Sequence, residues 1–329
     1  MSSYLPSLQI EDSRESKFKL VEELALREDL LPPVYILSHA RADSVNTLRV
    51  LPALRRFAMV VVAEEELSAY RTAQGPDAEL LAIPSGWGGH GLGLGRAKMF
   101  ALDHARQSGS RRAILLDDDL TAMSALYSIS EGKVSRALPA APERGIFRMG
   151  LLVLFTLVME EVFATDRSVV CGAPQTSNPE RMPRAADMRW AVNSGRAPSQ
   201  FVLWDLDRLD EYMPDGIDLD RFNRHGEDIA MTMEVLTRGG SVARVPSILT
   251  DWYDYETRSV IRTPATAPDL RQAEHDHLLA SGWGELLRTR TDLLGRPQWH
   301  SPDWAALRDR GLAPASQDSW TDASVLDLF

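Results

Sequence analysis

Arg112-Ala113-Ile114-Leu115-Leu116-Asp117-Asp118-Asp119 is an aliphatic run that stops in three consecutive acids. Four apolar residues in a row, without polar alternation, suit a strand covered on both faces, as in a parallel sheet. In open α/β sheets ligands sit beyond the carboxyl ends of the strands, and that is where the acids fall. On an extended chain side chains alternate, so Asp117 and Asp119 are expected on one side. Two hard carboxylates there suit Mn²⁺ or Mg²⁺, whose remaining positions suit diphosphate oxygens. The alternative is a strand end capped by solvated acids, although three adjacent negative charges repel one another without a cation.

Upstream of this run the same grammar repeats. Short apolar stretches at Val34–Ser38 (VYILS), Ala58–Ala63 (AMVVVA) and Leu80–Pro84 read as strands. Helical segments are expected at Lys17–Arg27, Leu48–Phe57, through Tyr70, and at Arg96–Gln107, with Pro32-Pro33 stopping the first. Continuous apolar strands alternating with helices indicate a mostly parallel sheet flanked by helices. Downstream the pattern is more mixed. A helix is expected over Gly145–Ala164, strands at Ser168–Gly172, Gln200–Asp205 and Ser241–Val245, and a helix at Glu227–Arg238 ended by Gly239-Gly240. The segment from Ala273 onward is helical in pattern.

Bulk properties narrow the function. At 329 residues, 44% hydrophobic and 25% charged, the chain supports a packed core and shows no disorder-prone composition. A formal charge of −11 argues against a surface wholly given to nucleic acid, so any such contact needs a local patch. A lone cysteine, Cys171, allows no intramolecular disulfide and reads as a small buried residue in a reducing cytoplasm. The N-terminal residues lack a basic segment followed by an apolar run, so no signal peptide is expected. The most apolar stretch, Gly150–Ala164, contains Glu160 and Glu161 and is too short to span a bilayer.

Several polar groups accompany the acids. Gly86 to Gly95, including Gly93, leads into Arg96 and a helix, and presents backbone amides and a helix dipole to phosphate, unless the loop is purely structural. Ser38, His39 and Arg41 follow the first strand and Glu64 the second; they are candidates for base and ribose contacts, or ordinary loop polars. Glu227 and Asp228 open a late helix. Acids there serve as dipole partners, or one of them acts as a general base toward an acceptor hydroxyl, with Asp228 preferred. Arg184 and Arg189, with Arg181 and Arg196, surround Trp190; this is either a phosphate-gripping, base-stacking patch or a solvated loop. His275 and His277 read as exposed helix histidines, with metal ligation as the alternative.

Taken together, the serine and arginine after the first strand, the acid after the second, Gly93-x-Gly95-Arg96, the acid triplet and the late Glu227-Asp228 resemble GT-A glycosyltransferases over residues 31–265. More narrowly, YILSHARAD, VVVAEEELSAY, ILLDDDL, HGEDIAMTMEVLTRGG and RTDLLGRPQW, with Arg262-Thr263 and Trp299, resemble the phage TET-associated glycosyltransferases. The resemblance implies a GT-A-like, Rossmann-type catalytic domain with a smaller mixed acceptor-side half. An extension over 1–30 would precede it and a helical tail over 266–329 would pack on it. It implies a nucleotide-sugar donor, a UDP-sugar first, held with Mn²⁺ or Mg²⁺ by Asp117 and Asp119, with Asp118 beside them. It implies hydroxymethylated pyrimidine in phage DNA as acceptor, in the cytoplasm of the host. A saccharide or small-molecule acceptor, a sugar nucleotidyltransferase and a non-catalytic DNA-binding protein are the competing functions. A nucleotidyltransferase usually has a glycine-rich loop after its first strand, where this chain has Ser38-His39-Ala40-Arg41-Ala42-Asp43. Intact acids argue against a binding protein that has lost catalysis.

Overall fold

The computed structural model describes residues 14–87, 94–130, 133–137, 144–166, 168–173, 191–192, 197–213, 226–245, 248–252, 267–291 and 293–312. Strands β1 (Val34–Leu37), β2 (Met59–Ala63), β3 (Glu79–Ile83) and β4 (Arg112–Asp117) pair in parallel in the order β3-β2-β1-β4. The sheet continues through β9 (Phe201–Asp205), β7 (Val170–Gly172), β10 (Val242–Arg244) and β8 (Ala191–Val192). β9 runs antiparallel to both β4 and β7, whereas β7 and β10 are parallel. The protein is therefore α/β with a mostly parallel sheet, and the parallel half carries the acid triplet.

Each face of the sheet has its own core, as the unbroken apolar runs of β1 and β4 require. Ile36, Ile114 and Leu116 point to one face and pack with Leu151, Phe155 and Phe163 of the long helix α5 (Arg144–Asp166). Tyr35, Leu37, Ala113 and Leu115 point to the other face, against α4 (Leu94–Gln107), α6 (Leu206–Tyr212) and α7 (Glu227–Thr237), while α3 (Leu67–Gln74) lends Tyr70 to the first face. α7 ends in a Schellman turn, with the Gly240 amide on the Val235 carbonyl, the Gly239 amide on the Leu236 carbonyl and φ +86° at Gly239. On the α5 side lies α1 (Arg14–Leu24), where Gly150 allows an unusually close approach: a Cβ on it would stand 1.8 Å from the Val21 carbonyl oxygen.

Four expectations change. The helix predicted over Leu48–Phe57 is instead a short α2 (Asn46–Val50) followed by a 3-10 turn at Pro52–Arg56, because proline interrupts the ladder there. The helix expected over Lys17–Arg27 is α1, ending at Leu24. A second sheet of β5 (Leu120–Ser130), β6 (Lys133–Ala137) and β11 (Ile248–Trp252) follows the acid triplet, and the sequence pattern did not announce it. The C-terminal segment is not wholly helical. It comprises α8 (Ala267–Ala280), an antiparallel ribbon of β12 (Leu287–Thr291) and β13 (Pro297–Pro302), and a short α9 (Trp304–Asp309). Its Leu278, Trp283, Leu286 and Leu307 join the core on the α7 face, so this segment is packed onto the domain. Among the described residues no helix is long and apolar enough to cross a membrane.

Candidate active site

The three acids are separated by the turn that ends β4. Asp117 is the last strand residue and shares the inward face of Ala113 and Leu115; Asp118 and Asp119 follow in a turn. That turn is fastened from α2. The Thr47 hydroxyl donates to the Asp117 carbonyl at 2.6 Å, the Thr47 amide donates to the Asp118 carbonyl at 3.1 Å, and the Leu120 amide returns to the Thr47 hydroxyl at 3.2 Å.

Asp118 is buried and already partnered. It accepts from the Ser38 hydroxyl and, at 2.6 Å, from the Arg41 guanidinium. With the single Ser38 proton on Asp118, the Tyr70 hydroxyl, 2.7 Å away, donates to Ser38 and accepts the Arg41 amide at 3.1 Å. Burial raises the Tyr70 phenol to about 12, so it stays a donor. Ser38 and Arg41 thus reach the cleft as part of the acid-triplet scaffold, since both are committed to Asp118. His39 bonds Glu66 at 3.1 Å and is the more open of the three.

Asp119 is different. Its Oδ2 lies 3.6 Å from Arg41, while its Oδ1 is buried with no hydrogen-bond partner. Burial first, and then the neighbouring Asp118 charge, push its pKa up to about 7. Asp117 is raised well above the carboxylate range by burial, and the charges of Asp119, Asp228 and Glu227 add to this against the pull of Lys98. Two half-buried carboxylates that resist ionising together, one with an orphan oxygen, are a donor set that a hard cation would relieve. Among the described residues no trio of His, Cys, Asp and Glu is placed to hold a metal by itself. A cation held by Asp117 and Asp119 would therefore need its other ligands from a bound molecule or water.

These acids floor a cleft of about 880 Å³, counting its open mouth, at the carboxyl ends of β1, β2 and β4. Its walls include Ser38, His39, Arg41, Arg96 and the apolar Leu37, Ile83 and Leu94. Arg96 is buried in the first turn of α4 beside Gly95 and donates to the Pro84 carbonyl at 2.8 Å. Glu64 does not line the cleft: its carboxylate accepts the Ser85 amide at 2.7 Å, which holds it below the usual range, and the following Glu65 forms the wall. Gly93, Arg184, Arg189 and Trp190, with Arg181 and Arg196, lie outside the described residues.

Behind Asp117 a second charged group crosses from α4 to α7. Lys98 is almost fully buried and pairs with Glu227 at 3.1 Å and with Asp228. Although burial favours a neutral amine, the carboxylates of Asp228, Glu227 and Asp117 hold Lys98 charged. Burial raises Asp228 to about 6 against the attraction of Lys98. Glu227 is not the helix cap: Gly226, at φ +83°, takes that position without a side-chain cap bond. Sequence reasoning passed over the roles of Thr47, Tyr70 and Lys98. The one available signal was a lysine one turn into α4, on the same apolar face as Ala101, Leu102 and Ala105.

The acid triplet, Asp118 buried and Asp117 and Asp119 half-buried, thus lies at the switch from strand to turn, beneath a cleft at the carboxyl end of the parallel sheet. The enzyme is a glycosyltransferase: its residues 32–161, from β1 through the acid triplet into α5, match the family model described as TET-Associated Glycosyltransferase. The resemblance read from the sequence motifs is thereby borne out over residues 32–161. No curated protein matches the chain by sequence. Among solved structures, a crystal structure of mannose-1-phosphate geranyltransferase from Thermus thermophilus aligns at 12% identity, over 68% of this chain and 76% of that one, with a TM-score of 0.37.

Proposed function

We propose that this glycosyltransferase binds a nucleotide sugar, first a UDP-sugar, in the cleft above the acid triplet and transfers the sugar to the hydroxyl of a hydroxymethylated pyrimidine in DNA. The observation that carries the reading is the pairing of two sets of acids: Asp117 and Asp119 facing the cleft, and Glu227 with Asp228 behind them on Lys98. Asp117 and Asp119 would hold Mn²⁺ or Mg²⁺, which when bound neutralises the donor diphosphate. Arg96 and the amides at the start of α4 would meet the same diphosphate. His39, Ser38 and Arg41 stand where the nucleoside end would lie.

Asp228 is the proposed base. A neutral alcohol is a poor nucleophile, and a carboxylate with a pKa near 6 is mostly ionised at neutral pH yet basic enough to take its proton. Lys98 and Glu227 fix its orientation. The DNA acceptor is what the resemblance to the family implies, and the arginines that flank Trp190 in the sequence support it. Modification of a base requires lifting it from the stack. The expected setting is the cytoplasm of a host cell.

Metal dependence tests the reading. EDTA should abolish turnover and Mn²⁺ or Mg²⁺ should restore it. Asp119→Ala should lose the metal-dependent part of donor binding in calorimetry while the fold persists. Equal donor affinity with and without metal in the wild type would remove the cation from the account.

A further inference from the structure

The ribbon β12–β13 projects from the acceptor side of the site. Its root is fixed: β13 packs against α7, the helix that Glu227 and Asp228 open. His300 of β13 is buried and hydrogen bonded to His275 of α8 at 2.9 Å, with Glu274 3.5 Å away on its other nitrogen. Glu274 in turn presses on Gly226, where a Cβ would stand 2.7 Å from the glutamate side chain. The ribbon is therefore tied to the residue preceding Glu227.

Its tip has the opposite character. Leu293 is 104% and Leu294 76% exposed, side by side before a left-handed Gly295. Scattered surface leucines are ordinary, but two adjacent ones at the end of a two-stranded ribbon form a narrow apolar edge. Three residue steps from His300 to Pro297 carry the chain about 10 Å outward before that edge begins. Arg288 and Arg290 alternate with Thr289 and Thr291 and share an exposed face, and Arg296 is exposed beyond the tip. Arg288, nearest the root, also pairs with Asp303 at 3.1 Å. The ribbon is thus locally basic in a chain of net charge −11.

We propose that this ribbon is a wedge for duplex DNA: Leu293 and Leu294 enter the base stack while Arg288, Arg290 and Arg296 face phosphates. The wedge opens the pair whose base then reaches Asp228. Apolar side chains inserted at base steps unstack duplexes in this way, and a ribbon of two strands fits the width of a groove. The tip is too small for a stable protein interface, and its arginines are complementary to phosphate. This inference rests on the DNA-acceptor reading.

The test uses the full chain and a short duplex with 2-aminopurine beside a hydroxymethylcytosine. Wild-type binding should raise the 2-aminopurine fluorescence. The double variant Leu293→Ser, Leu294→Ser, at positions whose exposure spares the fold, should still bind but lose that rise. Its transfer to duplex should fall by about tenfold or more, with transfer to the same single strand unchanged, because only the duplex needs unstacking. Arg290→Ala should flatten the log–log salt dependence of binding by about 0.9, the share of one phosphate contact. An unchanged salt slope would remove the arginine face, and a double variant equal to wild type on the duplex would overturn the wedge. Leucine-dependent binding to phosphatidylglycerol vesicles, or leucine-dependent self-association, with no effect on the duplex would overturn it too. If the wild type transfers sugar to neither strand form yet shows the leucine-dependent fluorescence rise, the wedge stands and the acceptor reading falls.

Discussion

Removing the amine of Lys98 leaves Glu227 and Asp228 in a buried site without their cation. Breaking a buried pair on one side costs about 3–5 kcal/mol, because the remaining charge stays desolvated. Lys98→Met should therefore lower the unfolding free energy from denaturant titration by that order, and Lys98→Arg, which keeps the charge, should recover part of the loss. Asp228→Asn is the complementary change. It keeps the size and removes the basicity, so turnover should drop by about 10²–10⁴-fold with donor binding near wild type, and Tm should fall less than in Lys98→Met, because Glu227 still pairs with Lys98. The pH profile carries its own sign. The ionised carboxylate is the active form, so kcat/KM should be full above the Asp228 pKa of about 6 and fall as pH drops through it. A flat profile between pH 5 and 8, tested at about unit intervals, would contradict the base assignment. At this scale the sequence was partly legible. Asp117, Asp119 and Asp228 stood out because acids at a strand end and at a helix start are local signals. Lys98 did not, because its meaning depends on α7 arriving from 129 residues away.

Among the elements, β1, β2 and β4 were readable because they are buried on both faces and their apolar runs are unbroken. The second sheet was not. β5 runs on directly from the acid triplet, and its pairing with β11 joins residues more than a hundred apart, which no local pattern encodes. The α2 break was missed for a different reason: Pro52 is tolerated in a first turn, and only the structure places it after the helix rather than inside it. The α1–α5 contact offers a test. Gly150→Ala puts a methyl on the Val21 backbone carbonyl, and backbone cannot yield as a side chain does. Despite the higher helix propensity of alanine, the variant should lose about 1–3 kcal/mol, the usual cost of overpacking, read as a lower Tm. An unchanged or higher Tm would mean that α1 is not held against α5.

For the whole molecule, charge is the feature to reconcile. A net −11 repels DNA at long range, so an enzyme acting on DNA needs local basic surfaces and a steep salt dependence. The family match covers residues 32–161, the half proposed to hold the donor, whereas α7, α8 and the C-terminal ribbon, proposed to face the acceptor, lie outside it. That division explains why donor chemistry was easier to read from the sequence than the acceptor. The most direct measurement is mass spectrometry of nucleosides after the enzyme has been incubated with a panel of nucleotide sugars and hydroxymethylated DNA. The expected product is a hydroxymethylpyrimidine heavier by one sugar residue, formed with Mn²⁺ or Mg²⁺, lost with EDTA and lost in Asp228→Asn. Unmodified nucleosides with every donor, or sugar appearing only on a saccharide acceptor supplied in parallel, would contradict it.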